Sequence, residues 1–143
     1  MRTTVAHLLL AKGKDVWTVA PDTTVYDALE IMAEKDVGAL VVLDGNNLVG
    51  IISERDYARK VVLLRRVSRE TSVGEIMTTD VHTVTPESSV ADCMATMTEQ
   101  RIRHLPVVSG ADVVGIISIG DVVKSVIEDQ RFLIEQLEQY ITS

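Results

Sequence analysis

The chain repeats itself. Displaced by 65 residues, residues 16–61 align with residues 81–126 over 46 positions without a gap. Identical pairs run through the whole alignment: Thr18/Thr83, Val19/Val84, Pro21/Pro86, Val25/Val90, Asp27/Asp92, Met32/Met97, Leu40/Leu105 and Gly45/Gly110. The run Val49-Gly50-Ile51-Ile52-Ser53 returns as Val114-Gly115-Ile116-Ile117-Ser118, and Asp56 returns as Asp121. Two copies that keep register through their turns must share one supersecondary plan. Weaker echoes lead into each copy, Val5-Ala6-His7-Leu8-Leu9 and Val73-Gly74-Glu75-Ile76-Met77, and a connector falls near residues 65–72. The expected parts are repeat 1 over residues 1–67, repeat 2 over 68–128 and a helical extension over 129–143.

Each copy reads β-α-β-β-α. A short strand over residues 16–19 stops before Pro21, which has no N–H for a ladder. Thr24-Val-Tyr-Asp27 and Ser89-Val-Ala-Asp92 pair a hydroxyl with a carboxylate three residues on, the mark of a helix start. Behind them Val25, Ala28, Leu29 and Met32, and likewise Val90, Cys93, Met94 and Met97, recur at helical spacing. Strands follow at 39–43 and 105–108, turns at Asp44-Gly45-Asn46-Asn47 and Ser109-Gly110-Ala111-Asp112, and strands again at 48–53 and 113–118. A second helix is expected from Asp56 to about Val67, and another from Asp121 onward. The apolar runs 40–43 and 49–52 lack alternation and predict strands buried on both faces. The fold class is α+β: tandem repeats related by a pseudo-twofold axis, because a unit of about 50 residues buries too little surface alone. The crevice between the copies is the natural ligand site.

Composition removes several function classes. At 143 residues and 46% hydrophobic content the chain sustains a core, which must be aliphatic because only 3% of residues are aromatic. So few aromatics, and a net charge of −7, argue against nucleic acid. The longest apolar stretch, residues 37–43, falls far short of a bilayer span, and the start lacks a signal peptide, so a cytoplasmic protein is expected. Cys93 alone excludes an internal disulfide and falls on the apolar face of its helix, as core filler. His7, His82 and His104 are scattered with no metal-ligand spacing, and the sequence contains no GxGxxG, GxxxxGK[ST] or HExxH. Catalysis is not expected.

The repeated Gly-Ile-Ile-Ser-x-x-Asp carries the chemistry. It lies where a buried strand meets a helix start. Gly50 and Gly115 permit close backbone approach. Ser53 and Ser118 offer hydroxyls beside free helix amides that receive an anion. Asp56 and Asp121 can each accept two hydrogen bonds from a vicinal diol, as on a ribose. The plainer role for both pairs is helix capping.

The repeat resembles the cystathionine-β-synthase (CBS) domain pair, or Bateman module. The matching residues are Thr18–Pro21 and Thr83–Pro86, Arg-His-Leu-Pro-Val-Val at 103–108, and the two Gly-Ile-Ile-Ser-x-x-Asp segments. Residues 40–43 depart from the family's Leu-Pro-Val-Val, with Val41 in place of proline. The resemblance implies a stand-alone sensor that binds AMP, ADP, ATP, NAD(H) or S-adenosylmethionine. It implies two pockets. One holds Ser118, Gly120 and Asp121, with Lys14, Asp15, Val16, Thr18, Val37, Gly38 and Ala39 around the base. The other holds Ser53, Arg55 and Asp56, with Thr79, Val81, Thr83, Ile102, Arg103 and His104. Arg55, Arg103 and His104 answer to Gly120, Gly38 and Ala39, so the Asp56 pocket is expected to take more phosphate. A homodimer through the repeat helices is also implied. The apolar spacing of Ile134, Leu137 and Ile141 reads as packing back on the same chain, or as a subunit contact that adds the C-terminal helix to that interface. The six cations Arg55, Arg59, Lys60, Arg65, Arg66 and Arg69 read as a solvated face, or as help with a charged ligand or an acidic partner. The alternatives are a dimeric scaffold with degenerate pockets, or an enzyme acting on nucleotides.

Overall fold

The computed structural model describes residues 3–13 and 15–142. In chain order the elements are α1 (Val5–Lys12), β1 (Thr18–Val19), α2 (Val25–Lys35), β2 (Ala39–Asp44), β3 (Asn47–Ser53) and α3 (Glu54–Tyr57). After a π-helical turn, Ala58–Val62, come α4 (Val73–Ile76), α5 (Val90–Gln100), β4 (His104–Ser109), β5 (Asp112–Ser118) and α6 (Ile119–Thr142). They form two compact units that cut across the sequence repeats. One takes Asp15–His82 and Gly110–Val114; the other takes Met1–Lys14, Thr83–Ser109 and Gly115–Ser143.

In the unit of residues 15–82, β1 runs parallel to β2 and β2 antiparallel to β3, in the order β1-β2-β3. Thr24 caps α2 by accepting from the Asp27 N–H at 3.1 Å, and Asp36 ends the helix in the left-handed region at φ 53°. Val25, Ala28 and Met32 face a core with Leu40, Val42 and Ile52, as their spacing predicts. β2 is buried on both faces over its first four residues, but β3 is only half-buried at Val49 and Ile51. The leading segment of the second copy belongs here. Val25 N–H donates to the Thr71 carbonyl at 2.8 Å, Val73 N–H to the Thr23 carbonyl at 2.7 Å, and Val73 and Ile76 of α4 join the core.

The other unit repeats this exchange. Val5 N–H donates to the Ser88 carbonyl and Val90 N–H to the Thr3 carbonyl, both at 2.9 Å. Val5, Leu9, Val90, Cys93, Met97, Leu105, Val107, Ile117 and Val122 are buried. Each leading segment is thus held by a body from the opposite repeat.

Two elements differ from expectation. The second copy has no first strand, only a single parallel bridge from Val84 to Val107. In the first copy Thr18 pairs with Val41, but Pro106 stands at the matching place and has no N–H to extend the ladder. The helix expected to reach Val67 ends earlier. Leu63 N–H donates to the Ala58 carbonyl at 3.1 Å, a five-residue step, and Arg65 turns to φ 58°. Val61 stays in the core while Val62, Leu63 and Leu64 are exposed.

Candidate functional site

The second Gly-Ile-Ile-Ser-x-x-Asp passes from β5 into α6. The Ser118 hydroxyl accepts from the Asp121 N–H at 3.3 Å, and the Asp121 carboxylate accepts from the Ser118 N–H at 2.8 Å. The same carboxylate oxygen, Oδ2, accepts from Lys12 Nζ at 2.5 Å, and that ammonium also donates to the Ile116 carbonyl at 2.8 Å. Lys12 ends α1, which sits close enough to β5 that a Cβ on Gly115 would lie 2.7 Å from Leu9 Cδ2. The Asp121 side chain keeps 24% of its surface, and its hydrogen bonds from Lys12 and the Ser118 N–H both fall on Oδ2. Burial works against its charge, but the hydrogen bonds from Lys12 and Ser118 outweigh it and hold the carboxyl below its ordinary range. His104, half-buried at the start of β4, is pushed the other way. Burial lowers its pKa, and the positive charges of Lys12 and Arg103 add to that against the pull of Asp121. Its ring is thus neutral near pH 7.

The first copy passes from β3 into α3 through the same reciprocal cap. Asp56 Oδ2 accepts from the Ser53 N–H at 3.0 Å and from the Ser53 hydroxyl at 3.1 Å. Here the other oxygen is occupied too: Oδ1 accepts from the Thr78 hydroxyl at 3.2 Å and pairs with Lys60 Nζ at 3.1 Å. Lys60 also donates to the Ile76 carbonyl at 2.9 Å. Asp56 retains 12% side-chain exposure, half that of Asp121, with every oxygen engaged.

Within each unit the strand–helix junction meets the start of the neighbouring strand. Gly38 and Ala39 join Ser53: the Glu54 N–H donates to the Gly38 carbonyl at 3.1 Å, and Ala39 pairs with Ser53 across the β2–β3 ladder. Arg103 stands in the matching place beside Ser118, its carbonyl accepting from the Ile119 N–H at 2.8 Å. Arg103 and His104 belong to the unit of Asp121. Asp15, Val16, Thr18, Val37, Arg55, Thr79 and Val81 belong to the unit of Asp56, whereas Thr83, Ile102 and Gly120 belong to that of Asp121. Lys14 lies outside the described residues. Cys93 is fully buried, and burial followed by the charge of Asp92 raises its thiol pKa, which suits filler.

Lys12 and Thr78 were missed from the sequence, and Lys60 was read only as one of a basic patch. Lys60 had a signal, since a lysine four residues after an aspartate pairs with it on a helix. Lys12 had none: in the alignment of the leading segments its counterpart is Asp80.

The CBS domain family model matches the chain twice, over residues 12–63 and 73–128. A CBS domain-containing mitochondrial protein of Arabidopsis thaliana, CBSX3, is 43% identical over 97% of this chain and 72% of its own. The structure of a protein with CBS domains from Burkholderia ambifaria is 56% identical, with a TM-score of 0.86 over 90% of this chain and 96% of that one. The CBS domain pair of protein MJ0100, solved in complex with 5-methylthioadenosine and S-adenosyl-L-methionine, is 26% identical. It superposes with a TM-score of 0.81 over 90% of this chain and 99% of its own. Among the described residues no helix is long and apolar enough to cross a membrane. Two matched copies, filling most of a chain whose folded units superpose on solved CBS structures, place it in the CBS-domain family as a CBS pair.

Proposed function

We propose that this CBS pair is a regulatory sensor, without catalysis of its own, that binds an adenosine-containing ligand at its strand–helix junctions. The class comprises AMP, ADP, ATP, NAD(H) and S-adenosylmethionine. The observation that carries the reading is Asp121: a carboxylate held ionised by Lys12 and Ser118 through Oδ2 and part-exposed, so that it can also accept from a ribose diol. Lys12 and Arg103 supply positive charge for a phosphate or carboxylate on the same ligand. That MJ0100 holds two adenosine compounds supports the class.

Asp56 favours a second role at its own end. Both of its oxygens are taken up within the chain, so it acts first as a helix cap and brace, as in a scaffold with one degenerate site. The reading includes a homodimer, supported by the large apolar residues that the helices leave exposed.

A thermal-shift panel of AMP, ADP, ATP, NAD, NADH and S-adenosylmethionine tests the ligand class, since a compound that binds only the folded chain raises its Tm. At least one should do so in a concentration-dependent way. A panel without effect at millimolar concentration overturns the sensor reading in favour of the scaffold.

A further inference from the structure

α6 is 24 residues long, about 36 Å, yet its buried residues, Val122 and Ser125, fall in its first two turns. Along another face Val123, Ile127, Gln130, Ile134, Leu137 and Ile141 alternate steps of four and three. The five apolar ones are 44–78% exposed. This spacing is a heptad seam with isoleucine at each a position, which a helix presents to another helix. Beside the seam run Leu133 and Tyr140, 58% and 80% exposed. Lys124 and Glu138 flank its opposite edge, and neither takes an ion-pair partner among the described residues.

We infer that α6 pairs antiparallel with α6 of a second copy about a twofold axis beside residues 131–133. This rests on the self-association proposed above and adds the surface, the orientation and the register. Charge selects the orientation. With the seam in antiparallel register, Ile127 meets the partner's Leu137, Gln130 the partner's Ile134 and Val123 the partner's Ile141. That register sets Lys124 against the partner's Glu138, twice per dimer, which outnumbers the single like-charge meeting of Arg131 with its own counterpart, and it packs Leu133 on its own counterpart at the axis. A parallel pair leaves Lys124 and Glu138 about 21 Å apart along the helix and unpaired. The antiparallel arrangement also lays the second half of each α6 along the first turns of its partner. This covers apolar residues that the chain itself leaves open. A twofold contact of like surfaces is the commonest closed solution for identical chains.

The test is sedimentation equilibrium of the 143-residue chain carrying Lys124→Glu, Glu138→Lys, both together, or Ile134→Asp. All three positions are exposed, so the fold is not at stake. Each single reversal should raise the dimer Kd about tenfold, and the double reversal should return it to within about twofold of the original. Ile134→Asp should raise it more than about 100-fold. A dimer indifferent to these changes, or singles not rescued by the double, overturns the α6 pairing and leaves the dimer reading standing. A chain that is monomeric at micromolar concentration overturns both.

Discussion

The ammonium of Lys12 bridges Asp121 Oδ2, at 2.5 Å, and the Ile116 carbonyl, at 2.8 Å. A residue from the leading helix therefore occupies the carboxylate that a ribose would use. Binding must share or displace it, and a phosphate gives the displaced ammonium somewhere to go. Lys12→Met should strengthen binding of neutral adenosine and reduce the advantage of AMP over adenosine by about tenfold, as expected when one charge-assisted hydrogen bond is lost. Calorimetric titration with the two compounds measures that ratio, and an unchanged ratio removes Lys12 from the site.

The two aspartates should separate when stability is measured. Asp56 takes up four groups within its unit, so Asp56→Ala removes a cap, leaves the Thr78 hydroxyl without its acceptor and leaves Lys60 with only the Ile76 carbonyl. A loss of about 2 kcal/mol is expected. Asp121→Ala removes a cap on a longer helix with water close by, for about 1 kcal/mol. Urea unfolding gives both values, and the account fails on this point if Asp121→Ala is the costlier.

Two glycines hold the leading segments against their strands. A Cβ on Gly50 would lie 2.5 Å from Met77 Sδ and 3.0 Å from the Thr78 carbonyl oxygen. On Gly115 its nearest neighbours would be Leu9 side-chain atoms, the closest Cδ2 at 2.7 Å. Overpacking should cost about 2 kcal/mol for Gly50→Ala, where backbone must move, and about 1 kcal/mol for Gly115→Ala. Thermal unfolding of the two variants checks the order.

Much of this was legible from short-range chemistry. Thr24 and Ser89 announced the starts of α2 and α5, Gly45 and Gly110 their hairpin turns, and the duplication predicted two like units. The exchange of leading segments was not legible. The match of residues 5–9 to 73–77 shows that they are alike, but not which body each joins. That choice rests on backbone bonds such as Val73 to Thr23, which leave no side-chain signature. The missing strand of the second copy could have been read from Pro106. The π-turn could not, because Val61, Val62, Leu63 and Leu64 are apolar in an unbroken run that marks no face. At the candidate site, the Ser-x-x-Asp frames were visible, whereas Lys12 reaches Asp121 from 109 residues away.

His104 and Asp121 should set the acid limb of stability. Burial lowers the folded His104 pKa below its ordinary 6.5. Below about pH 6.5 the unfolded chain thus takes up a proton that the folded chain resists. Stability falls as pH drops through that range and levels off once the folded ring is protonated. Asp121 is lowered from 3.8, so its contribution is present above about pH 4 and is lost as pH falls through the folded value. Chemical unfolding of the native chain and of His104→Gln from pH 4.5 to 7.5 should show the first slope only in the native chain. Parallel curves would contradict this origin.

The central claim is that the Ser-x-x-Asp frame at Asp121 is a ribose-binding device and not only a helix cap. Isothermal titration with the compound giving the largest thermal shift tests it most directly, on the native chain, Asp121→Asn and Asp56→Asn. Asparagine keeps the size of the side chain and one acceptor oxygen but loses the charge. Asp121→Asn should weaken binding by at least about tenfold, the cost of one charge-assisted hydrogen bond, and Asp56→Asn should weaken it less. Binding by Asp121→Asn equal to that of the native chain would contradict the claim and return both aspartates to the role of caps.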